Sequence, residues 1–147
     1  TLYTVALDRK HFIGTKAQIG YIFGDAPVYE RFYAGGMGSI RGFEYRGISP
    51  RGAGTSNRIG GEFLLLTGAE YNFPIYGNNL RGVAFVDGGT VETDFGMNDL
   101  RMSVGAGLRW TVPMMGPVPI NLNIAVPVVK TGDDDTEMVS ISMGMTF

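Results

Sequence analysis

The chain has 147 residues, of which 44% are hydrophobic, 12% aromatic and only 18% charged, with 23 glycines and a formal net charge of −2. So little charge is out of place on a small soluble domain, there is no basic stripe for nucleic acid, and the absence of cysteine excludes a disulfide scaffold, a cysteine-bound zinc site and a cysteine nucleophile. No apolar run approaches the roughly 18 residues of a membrane helix, so a spanning structure would have to be a closed β-barrel, the one sheet that leaves no backbone group unpaired in lipid.

In chain order, the opening residues Thr1-Leu2-Tyr3-Thr4 have no basic segment followed by an apolar core, and no signal peptide is expected there. Strands are predicted over residues 3–8 and 16–23, the second with Ala17, Ile19, Tyr21 and Phe23 on one side. His11, the one histidine, falls in the short turn between them; a Ser-His-Asp hydrolase would have to use it, and nothing around it suggests one.

Residues 25–61 then form a segment too long for a passive connection and too rich in aromatics and arginine for disorder. Gly36-Met37-Gly38-Ser39 completes no phosphate-binding pattern. A folded loop fits better: its glycines permit close backbone approach, Phe32, Tyr33 and Phe43 pack it, and Arg41 offers a bidentate donor to an internal carboxylate. Such a loop could plug a lumen.

Beyond it, strands are predicted over 62–73 and 80–91, joined by a turn at 73–79 and followed by a polar loop at 90–99. From Leu100 to Val112 one residue set is Leu100, Met102, Val104, Ala106, Leu108, Trp110 and Val112, and the other Arg101, Ser103, Gly105, Gly107, Arg109 and Thr111. After a turn at 113–117, residues 120–128 alternate in the same way. A loop at 130–137 follows, and then Val139, Ile141, Met143, Met145 and Phe147 alternate with Ser140, Ser142, Gly144 and Thr146. Short turns on one side and longer loops on the other suit an outer-membrane barrel. Alternation alone also suits a soluble antiparallel sandwich, but the second face here is Gly, Ser, Thr and Asn with sparse charges, closer to a barrel lumen than to a washed surface. Asp133-Asp134-Asp135 reads as a solvated hairpin loop rather than a calcium site, and Trp110, Tyr3, Tyr21, Tyr71, Tyr76 and Phe147 are candidates for interfacial girdles.

Arg31-Phe32-Tyr33-Ala34-Gly35-Gly36 followed by Ser39-Ile40-Arg41-Gly42-Phe43 resembles the F-Y-A-G-G … V-R-G-F signature of the sixth extracellular loop of the BamA-type outer-membrane assembly and translocation family, with Ile40 in place of valine. Three further motifs follow in the family's order. Phe85-x-Asp87-x-Gly89 resembles its thirteenth strand, Gly105-x-Gly107-Leu108-Arg109-Trp110 with Pro113 and Gly116-Pro117 the join of the next two, and Ser142-Met143-Gly144-Met145-Thr146-Phe147 its C-terminal signal strand.

The resemblance implies an all-β, antiparallel transmembrane barrel, with residues 1–147 supplying the last seven strands of a sixteen-strand barrel, 25–61 folded into the lumen, and the periplasmic POTRA domains absent. It implies a component of outer-membrane protein assembly in a Gram-negative-type bacterium, with no bond chemistry, cofactor or metal. Its partners would be outer-membrane lipid, unfolded β-barrel clients and assembly lipoproteins. A two-partner-secretion or TamA-like translocation pore is the alternative within the family, and a passive structural barrel or pore the alternative outside it. Self-association is expected if this segment folds alone, because an open sheet edge in lipid leaves backbone groups unpaired.

By the same resemblance Arg41, Gly42 and Phe43 anchor the loop through Glu70 and Asp87, and Val139, Ile141, Met143, Gly144, Met145 and Phe147 form the signal strand, which in the family also gates laterally. Alternation independently turns Glu70 inward, with Phe63, Leu65, Ala69, Tyr71 and Phe73 facing lipid. The plainer alternative is that both carboxylates only line a wet lumen.

Overall fold

A computed structural model describes residues 2–7, 10–24, 26–77, 79–112, 118–132 and 134–144. Among the described residues seven strands form one sheet in strict chain order: β1 (Leu2–Ala6), β2 (Phe12–Tyr21), β3 (Phe63–Tyr76), β4 (Leu80–Glu92), β5 (Arg101–Thr111), β6 (Pro119–Val129) and β7 (Val139–Met143). Every neighbouring pair is antiparallel, so connections fall alternately at opposite ends of the sheet. The short turns share one end, and the segments between β2 and β3, β4 and β5, and β6 and β7 share the other.

Pairing decided several boundaries that alternation misplaced. β2 begins at Phe12, not Lys16, because Phe12 through Gly14 pair with Asn72 through Glu70; an apolar residue on each face, Phe12 and Ile13, hides the alternation there. β3 continues to Tyr76, past the expected end at Phe73, through a register shift between Pro74 and Tyr76. A bulge is where a residue without an N–H is tolerated. β4 runs as expected through Val91 and one residue further to Glu92, since Val91 pairs with Leu64 and Glu92 with Phe63. Gly144, expected within the last strand, lies beyond it with a φ of +114°. Met145 and Phe147, together with Pro113, Gly116 and Pro117, lie outside the described residues.

The sheet has two unlike faces. One is bare and apolar, carrying Ile19, Ala69, Val86, Val104, Ile124 and Ile141 across the width of the sheet. Aromatics gather at its two ends, Tyr21, Phe23, Phe63 and Phe95 at the loop end and Tyr71, Phe73, Tyr76 and Trp110 at the turn end, whereas Tyr3 pairs across Thr15 away from both. At about 3.3 Å per residue and a tilt near 40°, the stretch from Phe63 to Phe73 rises about 25 Å, the height of the apolar band of outer-membrane barrels. Phe63 does not meet lipid as expected: Phe95 folds back over it, ring centroids 4.8 Å apart, and leaves it 1% exposed.

The other face carries the core. Residues 26–61 fold across it through a short 3-10 turn (Val28–Glu30) and the isolated bridges Phe32–Gly61, Ala34–Ile48 and Arg51–Arg58. Ala34, Ile40, Phe43 and Ile48 from this loop pack with Leu64, Leu66 and Val91 of the strands. The inner face is therefore less uniformly polar than its neighbours on β5 suggest, because Leu64 and Leu66 are apolar where the loop covers them. No helix among the described residues is long and apolar enough to cross a membrane.

Candidate functional site: a loop arginine between two strand carboxylates

The tip of the loop is a tight backbone knot. The Gly36 N–H donates towards the carbonyls of Ile40 (3.1 Å) and Phe43 (2.9 Å), Ser39 N–H to the carbonyl of Gly36 (3.2 Å), and Gly35 N–H to Ser39 Oγ (3.1 Å). Gly42 takes a φ of +92°, where a Cβ would lie 3.2 Å from that of Ala125 on β6, so the chain reverses against the sheet only with glycine there. The knot drives Phe43 and Ile40 into the apolar cluster and extends Arg41 between the strands.

Arg41 is 2% exposed, Glu70 1% and Asp87 0%. Its Nε and Nη2 donate to the two oxygens of Asp87 at 2.7 and 3.0 Å, its own backbone N–H adds a contact at 3.3 Å, and Nη1 donates to Glu70 Oε2 at 2.8 Å. The guanidinium carbon also lies 3.4 Å from the centroid of the Phe85 ring. Burial works against the charge on Arg41, but hydrogen bonds and charges from Asp87 and Glu70 outweigh it and hold its pKa above the ordinary value. The β3–β4 register makes this convergence possible: Gly68 opposes Asp87 and Glu70 opposes Phe85, with all these side chains on the loop-covered face. At Gly68 a Cβ would sit 2.7 Å from Asp87 Oδ1, so glycine leaves the carboxylate its room.

Three strand residues unmarked by sequence reasoning complete the cluster. Arg109 of β5 pairs with Glu70 Oε1 and donates to Asn72 Oδ1 at 3.1 Å, while Asn72 Nδ2 donates to Glu70 Oε1 at 2.9 Å. Lys16 of β2 stands 3.6 Å from Asp87 Oδ1 and donates to the carbonyl of Ser39 at 2.8 Å. Their signal was present: Lys16 and Arg109 are charges at positions that alternation turns inward.

The loop between β6 and β7 is a second tie. Asp134, expected in solvent, is buried against Arg101, with Oδ2 to Nε 3.0 Å and Oδ1 to Nη2 3.2 Å, because this loop folds back over β5. Asp135 pairs with Arg58, and its carbonyl accepts the Glu44 N–H at 3.0 Å. Asp133 lies outside the described residues. Met37 completes the contact, its sulfur 3.1 Å from Ser140 Oγ and 3.5 Å from Asn123 Nδ2. His11 lies apart at the turn end, its Nδ1 2.8 Å from the Tyr71 hydroxyl. On β7, Val139, Ile141 and Met143 point to the bare face, exposed by 52%, 70% and 63%.

This is an ionic cross-link between a folded loop and the inner face of a membrane-type antiparallel β-sheet. The Omp85 superfamily domain matches residues 2–147. The chain belongs to that superfamily and is an outer-membrane β-barrel chain of Gram-negative type. It is similar to the outer membrane protein assembly factor BamA of Nitratidesulfovibrio vulgaris, with 36% identity over 84% of this chain and 16% of the relative. It also resembles the human sorting and assembly machinery component 50 homolog, with 30% identity over 84% of this chain and 30% of that protein. The crystal structure of BamA from Haemophilus ducreyi lacking POTRA domains 1–3 superposes with a TM-score of 0.79 at 27% identity, over 97% of this chain and 34% of that one. The chain thus spans a minor part of the length of each of these relatives.

Proposed function

We propose that this chain is the C-terminal part of the barrel of an outer-membrane protein assembly factor, and that residues 25–61 are its lumen loop, held by Arg41 on Asp87 and Glu70. The seating of Arg41 carries this reading, because it reaches both carboxylates with the guanidinium fully enclosed. The site offers charge pairing and packing rather than proton transfer or nucleophilic attack, which favours a conformational role over catalysis. Arg41, Gly42, Phe43, Glu70 and Asp87 set the loop against the sheet. Val139, Ile141 and Met143 present an apolar strand to lipid, with Gly144 ending it. Clients would be unfolded β-barrel chains templated on a sheet edge by backbone pairing, with lipoprotein partners assisting.

The test uses the full-length protein reconstituted in liposomes with an unfolded outer-membrane barrel as client. Faster client folding than in protein-free liposomes, slowed by Arg41→Ala, is the expected outcome. Steady single-channel conductance with no acceleration would assign a pore instead.

A further inference from the structure

Three cations surround two carboxylates in the buried cluster, and only one of the three belongs to the loop. Arg41 arrives with residues 26–61, whereas Lys16 and Arg109 are fixed on β2 and β5. Each strand cation serves a different carboxylate, Lys16 standing beside Asp87 and Arg109 beside Glu70. Glu70 also has Arg109 and the Asn72 amide, both carried by strands and neither by the loop. The Lys16 ammonium is 3.6 Å from Asp87 and donates at 2.8 Å to the carbonyl of Ser39, which is itself in the loop. Departure of the loop would remove that carbonyl together with Arg41, and the ammonium would then turn onto the carboxylate that Arg41 vacates.

A buried carboxylate stripped of its partner would otherwise disfavour release by about a hundredfold or more. We propose that Lys16 and Arg109 are replacement counter-ions: they neutralise Asp87 and Glu70 when Arg41 withdraws, and so make the loop a reversible latch instead of a permanent plug. The proposal rests on the reading of Arg41 as the loop's anchor. In the docked state the same two cations repel Arg41 across a short distance, which acts in the same direction. Lys16 and Arg109 are positioning residues that set the docking equilibrium.

The sign of the effect separates this role from simple reinforcement of the docked loop. Ala34, on the buried side of the loop, is 1% exposed, and these 147 residues contain no cysteine, so Ala34→Cys places one thiol among them that maleimide reaches only when the loop lifts. In outer membranes carrying the full-length protein, Lys16→Gln and Arg109→Gln, singly and together, should lower the labelling rate, severalfold for each and about tenfold or more for the pair. Glutamine at position 16 can still donate to the Ser39 carbonyl, so the loop's own tether is retained. A rate that stays the same or rises in either single variant would overturn the proposal. Arg41→Ala tests the underlying reading separately: labelling should rise sharply, and if it does not, the anchor assignment fails whatever the other variants do. Heat-modifiable gel mobility checks that each barrel is folded, and the single variants decide the matter if the pair does not assemble.

Discussion

Replacing Gly42 by alanine perturbs the loop at the point where backbone conformation and sheet contact meet. The φ of +92° is one that an L side chain adopts at about 1–3 kcal/mol. The new methyl would stand 3.2 Å from the Cβ of Ala125 and 3.4 Å from its carbonyl carbon and oxygen, which displaces either loop or strand by tenths of an ångström for about 1 kcal/mol more. Together these weaken docking by about 3 kcal/mol, or roughly a hundredfold in the docked-to-released ratio. The readout is maleimide labelling of Ala34→Cys, which should rise by that factor with the barrel still heat-modifiable. Adding Ala125→Gly removes the tightest of these contacts, the one to Cβ, but neither the backbone contacts nor the strained φ, so it should recover at most about a third of the loss, measured against Ala125→Gly alone. Labelling unchanged by Gly42→Ala, or fully restored by Ala125→Gly, would refute the argument from backbone conformation.

Other consequences are as direct. Phe43→Ala empties the centre of the apolar cluster beneath the loop and should destabilise it by about 3–5 kcal/mol, seen as faster protease cleavage within 26–61. Asp134→Asn strands Arg101, whose side chain is 5% exposed, and should loosen the β6–β7 loop by about 3 kcal/mol; unaltered protease resistance there would show that the Arg101 contact with the Asp99 carbonyl suffices. On the bare face, Val104→Arg in mid-strand should lower stability in lipid vesicles by about 2–4 kcal/mol, against at most about 1 kcal/mol for Trp110→Arg at the strand end. Equal effects at the two positions would argue that this face does not meet hydrocarbon.

Strand number and facing were legible in the chain alone, because period-two alternation is a local property of extended backbone and lipid demands one wholly apolar face. Leu100 through Val112 and Ile120 through Val128 show it without interruption in the sequence, and the structure places those residue sets on opposite faces along Arg101–Thr111 and from Ile120 to the register shift beyond Val126. The loop motif around Arg41 was legible too, since its glycines and aromatics are contiguous. What no local pattern contains is the register between distant strands. Pairing extended β2 back to Phe12, carried β3 through Pro74 to Tyr76, and brought Lys16 and Arg109 to the same two carboxylates as Arg41. Sequence reasoning could turn those charges inward but could not select their partners. It likewise left Asp134 in solvent, for only the fold of the β6–β7 loop over β5 brings Arg101 within reach, and it left Phe63 in lipid, for only the return of Phe95 covers it. Local chemistry determined which face each side chain occupies, and the tertiary structure decided which charges meet, because ion pairs form between residues close in space regardless of their separation along the chain.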